Sequence, residues 1–190
     1  MTTVFLSLGS NLNDREKNIR AAIAALMNSG TLSDTKSSSL YESEPWGNRD
    51  QPWFVNCVIK GTTALGPYAL LMKLLAIETQ FGRVRAPETK WQPRTLDIDI
   101  LLYGRLALQM PTTRPKAKQL MPRSAVADVV ATNPKLPALT IPHEHLAERR
   151  FVLLPLAELA SDFVHPGTEK PISQLLKECV DHSIVKPFLT

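Results

Sequence analysis

The sequence Thr95-Leu96-Asp97-Ile98-Asp99-Ile100-Leu101-Leu102-Tyr103 alternates between apolar and acidic side chains over its first half. Side chains of a β-strand point alternately to the two faces of a sheet, so the pattern predicts a strand at residues 95–103 with Asp97 and Asp99 on one face. The leucine and isoleucine side chains between them then lie on the other face, where helices can cover them. The stretch therefore predicts a sheet with one helix-covered face and one face that holds two neighbouring carboxylates.

The segments upstream give the order of the other elements. Three stretches rich in β-branched and aromatic residues predict strands: residues 2–9, 37–44 and 54–62. A first helix, capped by Asn13 or Asp14, is predicted to end at Gly30. A second is predicted to begin at Pro67 and to end at Gly82. This order is that of a split βαβ unit, an antiparallel sheet with both helices on one face, and the opposite face is predicted to be free to carry a site.

The length and the charge distribution indicate one domain. At 190 residues and 44% hydrophobic, the chain is predicted to form a single domain, residues 1–190. Residues 104–138 hold five prolines, six basic residues and one acidic residue, which predicts a basic, proline-rich insertion or flap within that domain. The remaining 16 basic and 17 acidic residues are nearly balanced. Accessory helices are predicted near the C-terminus, around residues 146–159 and 172–180.

Targeting and redox signals are few. The apolar run at residues 4–8 is shorter than a signal-peptide core and lacks a basic flank, and no run approaches the ~20 apolar residues of a membrane helix. We therefore expect a cytoplasmic protein with no membrane partner. Cys57 and Cys179 belong to no metal-ligand or redox spacing, so we expect both to be reduced, structural thiols.

A group of cations immediately precedes the acidic strand: Arg83, Arg85, Lys90 and Arg94. Two adjacent carboxylates raise each other's proton affinity unless a cation neutralises them, and Mg²⁺ takes such oxygen ligands when phosphates complete its coordination. Phosphoryl transfer is catalysed mainly by positioning and by cations that match the developing charge. The pattern thus favours a site for a nucleoside triphosphate with Mg²⁺. The alternative, surface acids beside a solvated basic loop, does not explain why the loop leads directly into the acidic strand.

Four sets of residues form motifs along the chain: Leu8-Gly9-Ser10-Asn11-Leu12, Asp50-Gln51-Pro52-x-Phe54-x-Asn56, Gly82-Arg83-x-Arg85 with Trp91-x-Pro93-Arg94-Thr95-Leu96-Asp97-Ile98-Asp99, and Ile141-Pro142-His143 with Arg149-x-Phe151-Val152-Leu153-x-Pro155-Leu156. Together they resemble the 6-hydroxymethyl-7,8-dihydropterin pyrophosphokinase family. The resemblance implies a ferredoxin-like α+β sandwich, which agrees with the predicted element order. It also implies transfer of pyrophosphate from ATP to the pterin alcohol in folate biosynthesis, with release of AMP.

The resemblance implies roles for matching residues. The implied catalytic residues are Arg83, Arg94, Asp97 and Asp99, with Asp97 and Asp99 as ligands of two Mg²⁺ ions. The implied ATP-binding residues are Glu78, Arg85, Lys90, Trp91, Arg94, Ile100, Thr140, His143 and Arg149. The implied pterin-binding residues are Ser43, Glu44, Trp46, Phe54, Asn56, Trp91 and Phe151. In this assignment the amide of Asn56 reads the donor and acceptor edge of the pterin, and Phe54 and Phe151 sandwich its ring.

One further expectation concerns the acidic pair. We expect Mg²⁺, and not protein cations, to neutralise Asp97 and Asp99, so that without metal the two carboxylates repel each other.

Two positions depart from the family pattern. Gln92 stands where the family usually has glycine, which is expected to stiffen the loop. Ala138 stands where a basic contact to the nucleotide is expected.

Two other functions are compatible with parts of the pattern. An RNA-binding module would use the same sheet and the basic insertion, but it would not place two carboxylates where phosphates pass. A different ATP-dependent kinase of small molecules would release ADP instead of AMP. The expected partners are therefore small-molecule substrates, with no nucleic acid, and the expected state is a monomer.

Overall fold

Strand β1 (Thr2–Ser10) is an inner strand of the main sheet, next to the edge strand. The computed structural model describes residues 1–83, 92–110 and 137–189. Within them β1 pairs antiparallel with β4 (Phe54–Thr63) on one side and with β5 (Asp97–Tyr103) on the other. The sheet continues beyond β4 through β3 (Tyr41–Ser43) to β8 (Val185–Pro187), and β2 (Ser33–Ser37) also pairs with β4.

Two helices cover one face of this sheet, as the sequence predicts. Helix α1 (Arg15–Asn28) is capped by Asp14, whose Oδ1 accepts a hydrogen bond from the Lys17 amide at 3.0 Å. Helix α2 (Pro67–Gln80) begins at a proline, which has no amide hydrogen to leave unpaired there. Their apolar faces pack on alternate residues of the strands, among them Ile98 and Ile100, in one buried core.

The opposite face is divided between a second core and an open cavity. Helices α3 (Arg150–Ala160) and α4 (Ile172–Glu178) pack on Phe5, Val58 and Leu101 in that second core. The face predicted to carry a site therefore does so only in the part that these two helices leave open. The sequence of β1 explains why the face is divided. Along β1 the residues on this face change from apolar Phe5 to polar Ser7 and then to Gly9.

The predicted strand at residues 37–44 is two strands in the structure. Ser38 separates them: its amide donates to the Val58 carbonyl at 2.9 Å and its hydroxyl accepts from the Val58 amide at 3.0 Å. The hydroxyl thus replaces the main-chain acceptor of a regular ladder, and the chain leaves β2 before it returns as β3.

Two short strands lie around the predicted insertion. Strands β6 (Leu108–Met110) and β7 (Leu139–Ile141) pair antiparallel, and Leu108, Leu139 and Ile141 belong to the first core. Residues 108–110 are thus part of the fold and not of a peripheral flap. Most of the predicted insertion, residues 111–136, lies outside the described part of the chain.

Strand β5 contains a β-bulge. Phe5 pairs with Leu102 and the next residue, Leu6, pairs with Ile100, so Leu101 is an extra residue on β5. The bulge brings both Leu101 and Leu102 into the second core. Within the described residues, no helix combines the length and the apolar character needed to span a membrane.

Candidate active site

Two rows of side chains form the floor of an open cavity of about 810 Å³ on the second face. In one row Gly9 of β1 pairs with Asn56 of β4 on one side and with Asp97 of β5 on the other. In the next row Ser7 stands between Val58 and Asp99. Neighbouring strands are about 4.8 Å apart, so the backbones at Asn56 and Asp97 are separated by about 10 Å. The floor therefore has an amide end and an acidic end.

At the acidic end, two arginines contact the same carboxylate. A guanidinium nitrogen of Arg83 contacts Asp97 Oδ1, and Arg94 Nη1 lies 2.8 Å from Asp97 Oδ2. We expected Mg²⁺, and not protein cations, to neutralise Asp97 and Asp99; for Asp97 this expectation was wrong. The sequence alone did not show these contacts. Arg83 and Arg94 are 14 and 3 positions from Asp97, and the contacts depend on the path of the chain between them.

Glu78, on the buried side of the site, forms an ion pair with Arg83. This carboxylate is 1% exposed, and its Oε1 lies 2.5 Å from Arg83 Nη1 and accepts a hydrogen bond from the Ile98 amide at 2.8 Å. Burial alone would lower the pKa of Arg83, but the neighbouring carboxylates of Asp97 and Glu78 raise it above its ordinary value. Helix α2, strand β5 and Arg83 are thus joined at one buried carboxylate.

The second acid, Asp99, faces a histidine. His143 Nε2 lies 3.8 Å from Asp99 Oδ2, while His143 Nδ1 accepts a hydrogen bond from the His145 amide at 3.1 Å. Burial lowers the pKa of His143 to about 4, and the nearby charge of Arg149 acts in the same direction. His143 is therefore neutral at pH 7, and its one proton is on Nε2, which is directed toward Asp99.

Arg149 lines the cavity beside Trp46. Its guanidinium carbon lies 4.4 Å from the centre of the Trp46 ring, and the His145 ring, also in the cavity lining, is centred 5.4 Å from the same ring. The Nε atom of Arg149 is buried and has no hydrogen-bond partner within the described residues. Burial lowers the pKa of Arg149. An unpaired, buried N–H of a cation suits an anionic ligand in the cavity.

At the other end of the floor, Asn56 is buried and its Nδ2 donates to the hydroxyl of Ser43 at 2.9 Å. Phe54 of β4 lies at this end, and Phe151, from the first turn of α3, also lines the cavity. The amide oxygen and the remaining amide hydrogen of Asn56 are thus the polar groups of a pocket with aromatic walls.

Asn11, which the sequence offered only as part of a motif, does not line the cavity but holds residues that do. Its Nδ2 donates to Gln51 Oε1 at 3.0 Å and to the Pro52 carbonyl at 3.1 Å, and its Oδ1 accepts from the Arg94 amide at 2.7 Å. Asn11 therefore joins residues 45–53 to the residue that contacts Asp97. The cavity lining also includes residues that were not predicted: Ser7, Gln51, Gln92, Glu144 and His145.

Most of the predicted site residues meet in this cavity. It is lined by Ser43, Glu44, Trp46, Phe54, Asn56, Arg83, Arg94, Asp97, Asp99, His143, Arg149 and Phe151. Three predicted residues do not line it: Ile100 packs in the first core, Glu78 lies behind Arg83, and Thr140 pairs with Gln109 in β7. The reason for Ile100 is its even position on β5, which turns its side chain toward the helices. Arg85, Lys90 and Trp91 lie outside the described residues.

A split βαβ sheet with carboxylates, arginines and an aromatic amide pocket on one face defines an enzyme class, the transferases that bring a phosphorylated donor to a flat polar acceptor. Residues 5–161 match the family described as 7,8-dihydro-6-hydroxymethylpterin-pyrophosphokinase, and the chain belongs to that family. It is therefore a diphosphokinase, which transfers pyrophosphate to the hydroxymethyldihydropterin in folate biosynthesis. ATP is the donor, and the family typically needs Mg²⁺.

Relatives support this assignment over nearly the whole chain. The 2-amino-4-hydroxy-6-hydroxymethyldihydropteridine pyrophosphokinase of Haemophilus influenzae is 38% identical over 186 residues, 98% of each chain. The protein of the same name from Pseudomonas aeruginosa is 39% identical over 176 residues, 93% of this chain and 91% of that one. The folic acid synthesis protein fol1 of Pneumocystis carinii is 38% identical over 98% of this chain, which spans 22% of that longer protein.

Solved structures agree on the fold. A crystal structure of an HPPK-DHPS in complex with substrates matches 93% of this chain with a TM-score of 0.67 and 15% identity. The wild-type Plasmodium falciparum HPPK-DHPS with SDX-DHP matches 94% with a TM-score of 0.64 and 16% identity. In both, the present chain spans 43% of the solved chain. At this identity the likeness shows the ferredoxin-like α+β fold.

Proposed function

We propose that the cavity holds both substrates at once, with the pterin at Asn56 and the ATP phosphates at Asp97 and Asp99. The observation that carries this proposal is the row Asn56–Gly9–Asp97, which sets the two ends about 10 Å apart across one side-chain-free position. That span suits a pterin at one end with its hydroxymethyl group reaching toward a phosphate at the other. The hydroxymethyl oxygen then attacks the β-phosphorus of ATP, and AMP leaves.

The pterin end recognises its ligand through one amide. Because Ser43 takes one Nδ2 hydrogen of Asn56, the amide orientation is fixed, and the other hydrogen and Oδ1 remain for the donor and acceptor edge of the pterin. Phe54 and Phe151 pack on the two sides of the ring. Main-chain groups of Ser43, Glu44 and Trp46, together with Trp91, complete the pocket in this proposal.

The acidic end fits two Mg²⁺ ions carried with ATP. Among the described residues no group of three or more acidic, histidine or cysteine side chains could hold a metal without help. Two carboxylates on one sheet face are nevertheless the small ligand set that Mg²⁺ takes when phosphate oxygens fill its remaining positions. Such ions would neutralise the charge that develops on the phosphate oxygens.

The arginines change partners in this scheme. Arg83 and Arg94 exchange the Asp97 carboxylate for phosphate oxygens, while Glu78 keeps hold of Arg83. Arg149 uses its unpaired Nε–H for the phosphates, and neutral His143 donates from Nε2. Arg85 and Lys90 are proposed to add further positive charge to the ATP site. The residues thus act through positioning and charge, as phosphoryl transfer requires.

The wider setting is also a proposal. We assign residues 1–190 to a single pyrophosphokinase domain that works as a cytoplasmic monomer on small molecules, without nucleic acid or membrane partners. Two observations agree with this setting. Cys57 and Cys179 are both unpaired thiols, as is usual in a reducing compartment, and the acidic pair lies where an RNA backbone would need cations.

The substrate assignment is tested with Asn56→Ala. Loss of the amide leaves the polar edge of the pterin unpaired, so pterin binding should weaken by about 1 to 3 kcal/mol while ATP binding holds. Both affinities are measured by calorimetry, and Asn28→Ala at the exposed end of α1 is the matched control. Equal losses for both ligands contradict the assignment. Identification of AMP, and not ADP, as the released nucleotide tests the reaction itself.

A further inference from the structure

The C-terminal segment, residues 179–187, connects two walls of the cavity. It runs from the end of α4 to β8 and lies beyond residue 161, where the match to the family ends. One wall is the first turn of α3, which carries Phe151, and the other is the end of β3, which carries Ser43 and Glu44.

The contact with the α3 wall is made by Asp181. Its Oδ2 accepts a hydrogen bond from the Arg150 amide at 3.0 Å, and its Oδ1 accepts from the Ser183 amide at 2.9 Å. The first amides of a helix have no hydrogen-bond partner within the helix, and the N-cap residue Arg149 provides none with its side chain. Asp181, 31 residues after Arg150, takes over this capping role. These hydrogen bonds lower the pKa of Asp181 against the opposing effect of burial. Arg150 lies between the cavity residues Arg149 and Phe151.

The contact with the β3 wall is made by Ile184. Its carbonyl accepts from the Glu44 amide at 3.1 Å, and its own amide donates to Glu44 Oε2 at 2.9 Å. From there β8 pairs with β3, with Val185 opposite Ser43. Ser43 is the residue whose hydroxyl takes the Asn56 amide.

We propose that residues 179–187 form a C-terminal tie that sets the width of the pterin pocket, with Asp181 as a positioning residue. Two of the three pocket walls end on this segment, and the third, β4, is fixed by the sheet. The phosphate end depends on it less, since Asp97, Asp99, Arg83 and His143 come from other elements and only Arg149 adjoins the tied turn. The tie rests on the proposed function, because it concerns the pocket that we assign to the pterin.

The test measures pterin and ATP affinity separately for Asp181→Ala and Glu44→Ala. Pterin affinity is measured with α,β-methylene ATP present, which blocks transfer. Each variant removes hydrogen bonds at one end of the tie, so pterin affinity should fall about three- to tenfold while ATP affinity falls by a clearly smaller factor. Asp181→Asn keeps one acceptor and should lie between Asp181→Ala and the parent. Glu178→Ala, an exposed acid three residues earlier, is the matched control and should match the parent.

The double variant Asp181→Ala/Glu44→Ala shows whether the two ends act together. If they do, the losses are not additive, and the double variant binds pterin about as well as the weaker single variant. Losses that multiply, an equal fall in ATP affinity, or no loss in either single variant would overturn the tie. If only the tie is wrong, Asn56→Ala still weakens pterin binding. If the proposed function is wrong, Asn56→Ala leaves pterin affinity unchanged as well.

Discussion

The side-chain oxygen of Asn56 lies 2.9 Å from the position that a β-carbon on Gly9 would occupy. Phe54 Cδ1 lies 3.7 Å from the same position. Real β-carbons do not approach other atoms closer than about 3.0 Å, so the Asn56 amide needs a residue without a side chain at position 9. Gly9 is therefore required for close approach across the sheet and not for an unusual backbone angle.

Gly9→Ala should reduce pterin affinity. The added methyl group displaces the Asn56 amide from its bond with Ser43, and we expect a loss of about 1 to 2 kcal/mol in pterin binding. Calorimetric titration with pterin and with ATP measures both affinities. Gly66→Ala is the control, because a β-carbon there meets nothing within 4 Å and the position is outside the cavity. Unchanged pterin affinity in Gly9→Ala would show that the amide does not read the pterin.

Asp97 should contribute to the stability of the protein without metal. Asp97→Asn removes the charge that Arg83 and Arg94 contact, so the free energy of unfolding in EDTA should fall by about 1 to 3 kcal/mol. Urea unfolding measures the change, and an unchanged free energy of unfolding would contradict the contribution of these ion pairs.

Asp97→Asn and Asp99→Asn should behave alike in catalysis. Each carboxylate is proposed to hold a metal at the phosphates, so AMP release at saturating substrates and Mg²⁺ should fall by orders of magnitude in both. Parent-like turnover in either variant would remove the metal-centred mechanism.

The insertion can be tested with boundaries taken from the strands. Removal of residues 107–136 would delete β6, which pairs with β7 and contributes Leu108 to the first core. Replacement of residues 111–136 by a short glycine–serine linker keeps both strands and the Pro137 carbonyl that accepts from the Tyr68 hydroxyl. We expect the shortened protein to unfold at the same urea concentration and to bind ATP as the parent does. A loss of ATP affinity alone would assign the segment to the nucleotide site.

His165 should make stability depend on pH. Burial lowers the pKa of this histidine, whose Nδ1 accepts from the Gly167 and Thr168 amides at 3.1 and 3.2 Å. The unfolded chain therefore takes up this proton first, and stability is lost as the pH falls below about 6.5 toward the folded pKa. His143 acts in the same direction, so the comparison is with His165→Asn, whose Oδ1 can accept the same amides. The variant should lose less unfolding free energy between pH 7 and pH 5.5, and an identical loss contradicts the role of His165.

Local patterns predicted the parts of the site that lie on strands. The alternation in β5 gave the shared face of Asp97 and Asp99, and the helical spacing gave α1 and α2, because both periods follow from backbone geometry alone. The sequence could not give the contacts of Arg83 with Asp97 or of Asp181 with Arg150, since these depend on chain paths between residues 14 and 31 positions apart. Strand β8 was missed because three residues that include Pro187 carry no strand signal until β3 lies beside them.

The bulge at Leu101 separates the part of β5 that carries the site residues from the part that packs against α3 and α4. Toward its beginning β5 must keep Asp97 and Asp99 in register with Gly9 and Ser7, and toward its end it must follow the packing of α3 and α4. An extra, unpaired residue absorbs local changes in twist and strand position. Shifts in the packing of α3 and α4 can thus be taken up at this joint while Asp97 and Asp99 keep their positions. In evolutionary terms the acidic end of the site is buffered against such change, whereas Phe151 and Arg149, at the start of α3, are not.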